Sequence, residues 1–230
     1  MKLFYIRIGL IGLLIWFLCH PAFCEDITKT PIEKSDATLD HVLEKIEKKY
    51  AGAGFGVDFE QESTLKAMQI TDTASGKAFF DHPDKMRWEY EKPDRQLIIS
   101  NGMSLWIYKP NDNQVMIGKS PDFFKNGKGA SFLTDIESIR TKFSVKINQI
   151  MPDKSYELKL VPLETNLDLA YIFLVVSGDT YDIREIKTCN SYGDETRIMF
   201  KNMTFQNNLA QSMFTFTIPP GADVLSLDEE

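Results

Sequence analysis

Residues that could do chemistry are sparse in this chain. Beyond residue 24 it holds two histidines, His41 and His82, and one cysteine, Cys189. A metal site needs three or four nitrogen, sulfur or carboxylate ligands brought together, and no spacing here supplies them. Gly127-Lys128-Gly129 lacks the upstream glycine and the Ser/Thr of a phosphate loop. There is no G-x-S-x-G elbow and no dinucleotide fingerprint. Asp and Glu are plentiful but scattered, so nothing selects one pair for hydrolytic acid–base work. The reading is therefore of a protein without catalytic residues, metal or cofactor, and not of an enzyme.

Apolar surface remains. The 16 Phe, 9 Met, 8 Tyr and 3 Trp are large, soft side chains suited to irregular or adaptable apolar spaces. A plain β core needs the same residues, and composition alone does not separate the two. The stretch that organises the rest runs from Met86 to Val115. Met86, Trp88 and Tyr90 alternate with Arg87, Glu89 and Glu91, which puts them on one face of a strand that Lys92-Pro93 ends. Asn101-Gly102 then suits a two-residue hairpin turn, pairing Ser100 with Met103 and Ile98 with Leu105. One face carries Ile98, Leu105 and Ile107, the other Leu97, Ile99, Trp106 and Tyr108. Both are apolar, so neither side of this hairpin is expected in water.

Pro83, Met86-Arg87-Trp88-Glu89-Tyr90, Pro93, Leu97 to Gly102 and Leu105-Trp106-Ile107-Tyr108 resemble the LolA family of periplasmic lipoprotein carriers. Phe55, Phe59 and Gln61 match that family's entry strand. Asn190 to Phe205 and Phe214-Thr215-Phe216-Thr217 with Pro219-Pro220-Gly221 are similar to its closing strands. The resemblance implies a mainly β fold: an incomplete, half-open antiparallel β-barrel with an N-terminal amphipathic helix and short helical segments as a lid. It puts Met86, Trp88, Tyr90, Ile98, Leu105 and Ile107 on the wall of an acyl-chain cavity. It implies lipoprotein cargo, an ATP-driven inner-membrane releasing transporter (LolCDE-like) as loader, and an outer-membrane acceptor (LolB-like). Where the family commonly has a lid-holding arginine before the proline, this chain has His82, so the latch is looser or passes to Arg87 or Arg95. The alternatives are a related lipid- or lipoprotein-binding module such as the acceptor itself, or a periplasmic hydrolase.

The elements that would position these residues follow in order. Lys2 and Arg7 precede the apolar run Ile8 to Leu18, and Ala22-Phe23-Cys24 resembles a cleavage site, so residues 1–24 read as a secretory signal. Phe23 before Cys24 argues against lipidation there. The resemblance implies that residues 25–230 are a single carrier domain, monomeric and exported to the periplasm. Loss of 1–24 removes Lys2 and Arg7 and no acid, moving the formal charge from −7 to −9. That acidity disfavours nucleic acid.

Ser35 or Asp36 can cap a helix whose apolar positions are Leu39, Val42, Leu43, Ile46 and Tyr50, with Gly52 suited to its end. Core helix and lid need the same stripe; the resemblance favours a lid carrying Leu39, Leu43 and Ile46. A strand over Phe55 to Phe59 follows, and Thr73 to Gly76 reads as a turn. The glycine-rich segment after Gly118 carries Phe123, Phe124, Phe132 and Leu133 and is assigned as a second lid element. Strands are expected at 143–150, 156–161, 169–177, 183–191, 196–205 and 214–218, an antiparallel meander.

Overall fold

The computed structural model describes residues 31–52, 54–121, 132–164 and 167–227. The proposed leader and Phe123 and Phe124 therefore lie outside the described residues. Helix α1 covers Pro31–Tyr50, starting earlier than the Ser35 or Asp36 cap predicts. Proline at the first helical position loses nothing, because its missing N–H would be unpaired there anyway. Gly52, at φ +82°, takes the left-handed conformation that turns the chain out of the helix.

Strands β1 (Gly54–Leu65), β2 (Ile70–Asp81), β3 (Lys85–Lys92), β4 (Gln96–Asn101), β5 (Ser104–Lys109) and β6 (Gln114–Lys119) form a meander. After the short helix α2 (Ser138–Lys142) come β7 (Phe143–Ile150), β8 (Tyr156–Pro162), β9 (Tyr171–Val176), β10 (Ile183–Cys189), β11 (Glu195–Gln206) and β12 (Asp223–Ser226). The described strands make one twelve-stranded sheet, ordered β12-β6-β5-β4-β3-β2-β1-β11-β10-β9-β8-β7, in which β1 joins the two meanders by pairing with β11. Every pairing is antiparallel except β12 with β6. The sheet does not close, since β7 and β12 are its free edges.

Three expectations need correction. The β4–β5 turn is Gly102-Met103, so Ile98 pairs with Ile107 and Ser100 with Leu105. Asn101 Oδ1 accepts from the N–H groups of Met103 and Ser104, which sets the turn one residue later, with Gly102 at φ +91°. The shift preserves parity, and the two faces are those the alternation predicts. Thr73 to Gly76 is not a turn but lies within β2; the hairpin closes at 66–69 instead. Gly76 is there because β3 runs so close that a Cβ would sit 1.9 Å from the Glu89 carbonyl oxygen. Finally, 214–218 is not a strand. Phe214 closes a 3₁₀ turn, Gln211–Phe214, and the missed strand is β12.

Residues 207–222 instead form a strap across the outer face of the first meander. Gln211 reaches Asp81 and Lys85, Arg87 donates to the Met213 carbonyl, and Phe216 packs on Tyr108. Phe214 is buried there, and the outer-face residues Ile99 and Val115 are buried too. The second apolar face of the hairpin is thus accounted for. The outer face of β8–β10 is covered differently, by the ammonium groups of Lys159 and Lys187 laid over Tyr171 and Phe173.

The core is on the concave face. One buried cluster joins Val42, Leu43, Ile46 and Tyr50 of α1 to Phe59, Phe80 and Trp88 on one side and Leu158, Leu160, Ile172 and Leu174 on the other. Strands β3 and β8 are six steps apart in the sheet order, about 29 Å along a flat sheet at roughly 4.8 Å per strand. Sharing one cluster therefore requires the sheet to curl around α1.

Candidate functional site

The interior is built on an aromatic centre. Trp88 packs edge-on against Phe59 (ring centroids 4.9 Å) and Phe80 (5.5 Å), is stacked beside Tyr90 (6.4 Å), and meets Phe200 of β11 at 6.5 Å. Phe55 stacks on Phe80 at 4.8 Å and carries the set on to Tyr50 of the helix at 5.2 Å. Each ring arrives by the same rule: alternate residues of a strand share a face, so Phe55 and Phe59, then Met86, Trp88 and Tyr90, all point inward.

The predicted wall residues divide. Met86 and Trp88 belong to the buried cluster, and Tyr90 and Ile98 pack against it. Leu105 and Ile107 lie on the same face and are buried, but fall outside that cluster, further toward β6. Of the predicted lid residues, Leu43, Ile46, Phe132 and Leu133 are in the cluster and Leu39 packs on it. Phe200 and the second meander's contribution had escaped the sequence reading. Only the inward parity of each strand points to them, and parity does not reveal which distant strands meet.

A small polar set holds the C-terminal end of α1. The Tyr50 hydroxyl accepts from the Ile183 N–H at 2.8 Å and donates to the Met203 sulfur at 3.2 Å. Its pKa is driven far above the usual tyrosine range by burial; the Ile183 bond opposes this and the nearby Asp182 charge adds to it. Lys49 bonds Asp182 at 2.5 Å and the Thr180 carbonyl at 2.7 Å. His82 Nε2 lies 2.6 Å from the Tyr50 carbonyl oxygen, so the ring carries its proton on Nε2 and donates. A neutral imidazole can do this, and the contact does not need the charge that the family's arginine brings. Arg87 takes no part on this side, since it is engaged with Glu89 and the Met213 carbonyl on the outer face. Further along, Arg140 of α2 grips Asp40 and Glu47 of α1.

Inside, Tyr90 brings a polar group to the wall. Its hydroxyl donates to Gln61 at 3.0 Å, and burial pushes its pKa up to about 12. Among the described residues no group of three or more His, Cys, Asp or Glu could hold a metal ion, and no helix is long and apolar enough to cross a membrane.

A curled, unclosed sheet with an amphipathic helix over its apolar concave face defines a protein organised around an interior. Residues 52–217 match the family model described as outer membrane lipoprotein carrier protein LolA. The chain belongs to the LolA family. It is 28% identical over 179 residues to the outer-membrane lipoprotein carrier protein of Neisseria meningitidis serogroup B, covering 78% of this chain and 84% of that protein. The similarly named protein of Cupriavidus pinatubonensis is 30% identical over 159 residues, covering 69% of this chain and 73% of the relative. Among solved structures, an uncharacterized conserved protein from Thermus thermophilus shares the fold. Its TM-score is 0.53 at 11% identity, with 82% of this chain and 99% of that one covered.

Proposed function

We propose that this protein is a periplasmic carrier that shields the acyl chains of lipoproteins between α1 and the concave face and ferries them from the inner to the outer membrane. The observation that carries this is the single apolar cluster, with an aromatic centre, that α1 closes over. Met86, Trp88, Tyr90 and Ile98 serve as its wall, extended by Leu105 and Ile107, while Leu39, Leu43, Ile46, Phe132 and Leu133 serve as its cover.

The energies are of the right size. Lifting the helix exposes Val42, Leu43, Ile46 and Tyr50, all buried, at about 1.5–3 kcal/mol each or about 6–12 kcal/mol together. An acyl chain gains roughly 0.8 kcal/mol per methylene on leaving water, so one long chain is worth on the order of 10 kcal/mol. A single chain can therefore take the helix's place on the wall with little net change. A bilayer offers the chain about the same gain, so direction comes from outside: an ATP-driven inner-membrane transporter that loads and an outer-membrane acceptor that binds more strongly. His82 acts as the latch, through the Tyr50 carbonyl. Residues 1–24 serve as the cleaved export signal, and one copy works alone.

The test is extraction of a synthetic triacylated lipopeptide from vesicles. A one-to-one soluble complex whose lipopeptide is recovered chemically intact is expected. No extraction at micromolar protein, or release of free fatty acid, overturns the carrier reading.

A further inference from the structure

Several large apolar side chains are exposed together at one end of the sheet, while Met103 and Ile150 are exposed at the other. Met68 (67% exposed), Leu167 (61%) and Tyr192 (69%) sit on the β1–β2, β8–β9 and β10–β11 connections. The antiparallel pairings put these three connections at the same end and side by side. Leu65 and Ile70, which flank the β1–β2 connection, are exposed with them. Hydrogen bonds stitch the three together: the Lys66 N–H donates to Asp194 Oδ1 at 2.9 Å, and the Ser191 N–H to the Leu167 carbonyl at 3.0 Å.

Two features say what covers this end. At the β1–β2 and β10–β11 tips, amides are already bonded within the turns, Met68 to the Leu65 carbonyl, Gln69 to the Lys66 carbonyl, and Tyr192 and Asp194 to Asn190 Oδ1. Such tips can leave water without stranding backbone donors, which is the condition for entering a lipid layer. Acids outnumber bases around them: Asp72, Glu164, Asp168 and Glu195 are exposed at this end, against Lys66 and Lys142, with Glu195 ion-paired to Lys187. Acidic groups complement the ammonium ends of zwitterionic headgroups and repel anionic lipids.

We propose that this end of the sheet is a membrane-contact surface. Its occupant is the interfacial layer of a zwitterionic phospholipid bilayer, entered by Met68, Leu167 and Tyr192. Tyrosine favours that layer because its ring is apolar and its hydroxyl stays wet. Shallow entry by a few side chains gives reversible attachment. The inference rests on exposure, hydrogen bonding and charge at this end, and does not depend on what the interior carries.

Flotation of the full protein with phosphatidylethanolamine/phosphatidylcholine vesicles tests it. Wild type should float. The triple variant Met68→Ser/Leu167→Ser/Tyr192→Ser should lose at least five-fold in bound fraction with an unchanged thermal midpoint, and Met103→Ser, exposed at the opposite end, should bind as wild type does. Replacing a third of the lipid with phosphatidylglycerol should weaken binding. A Met68→Trp variant should show quenching by brominated lipid beyond that of wild type. Failure of wild type to float, equal binding by the triple variant, equal loss in Met103→Ser, or tighter binding to the anionic vesicles overturns the proposal. Uptake of a fluorescent fatty acid by the triple variant should be unaltered, which keeps this outcome separate from the carrier test.

Discussion

Replacing Tyr50 with phenylalanine isolates the hold on α1 from the packing beneath it. The ring keeps its places against Phe55 and Phe205, at 5.2 and 5.4 Å. Only the hydroxyl goes, and with it the acceptor for the Ile183 N–H and the donor to the Met203 sulfur. A buried donor left without a partner costs about 1–3 kcal/mol. If α1 lifts to admit cargo, water reaches that N–H in the open form, so the penalty falls on the closed form alone. A penalty of about 1–2 kcal/mol raises the open-to-closed ratio roughly 5–30-fold. Stopped-flow uptake of a fluorescent fatty acid should accelerate by that factor, while urea unfolding shows a loss of the same size in free energy. Lost stability with unchanged uptake would mean that the hydroxyl serves the fold and not the lid, and the coupling between the two would be refuted.

His82→Ala removes the imidazole contact with the Tyr50 carbonyl and should speed release of a bound acyl probe several-fold, while His82→Arg should slow it below wild type; equal off-rates in all three proteins would dispose of the latch. Trp88→Ala should lower the urea-unfolding free energy by about 3–5 kcal/mol, the usual cost of emptying a packed aromatic site, and a loss under 1 kcal/mol would contradict the packing described. Tyr90 is neutral when folded up to about pH 12 but ionises near pH 10 when unfolded. Its contribution is complete below pH 10 and is lost as pH rises through that window, at about 1.4 kcal/mol per pH unit. Urea titrations at pH 9, 10.5 and 11.5 should show a shallower decline in Tyr90→Phe than in wild type.

Local pattern made most of the architecture legible, and long-range pairing was where it failed. Alternation in Met86 to Tyr90 and in Leu97 to Tyr108 gave the faces correctly, even though Asn101 moved the turn, because a shift of both strands together leaves parity intact. Gly76 misled because a glycine that permits close approach of a neighbouring strand looks the same as a turn glycine. Phe214 to Ile218 alternates like a strand, yet Phe214 is buried by lying over the sheet and not within it. Strand β12 is short and exposed throughout, so it carries no periodic signal at all. In the interior, Trp88 and Tyr90 could be placed from their own strand. Phe200, the sulfur of Met203 and the Ile183 amide could not, since their meeting depends on β1 pairing with β11 and on the curl that follows.

The strap over β2–β6 gives the two halves of the molecule unlike mechanics. On that side the wall is sandwiched between α1 and a run of covalent chain, and it cannot bow outward without dragging the C-terminal segment from its groove. On the opposite wall the cover seen among the described residues is two lysine side chains, Lys159 and Lys187, over Tyr171 and Phe173. Under the carrier function proposed above, a bulky guest would find its extra room there, with β8–β10 yielding to tails of different size and the Trp88 side acting as the fixed template.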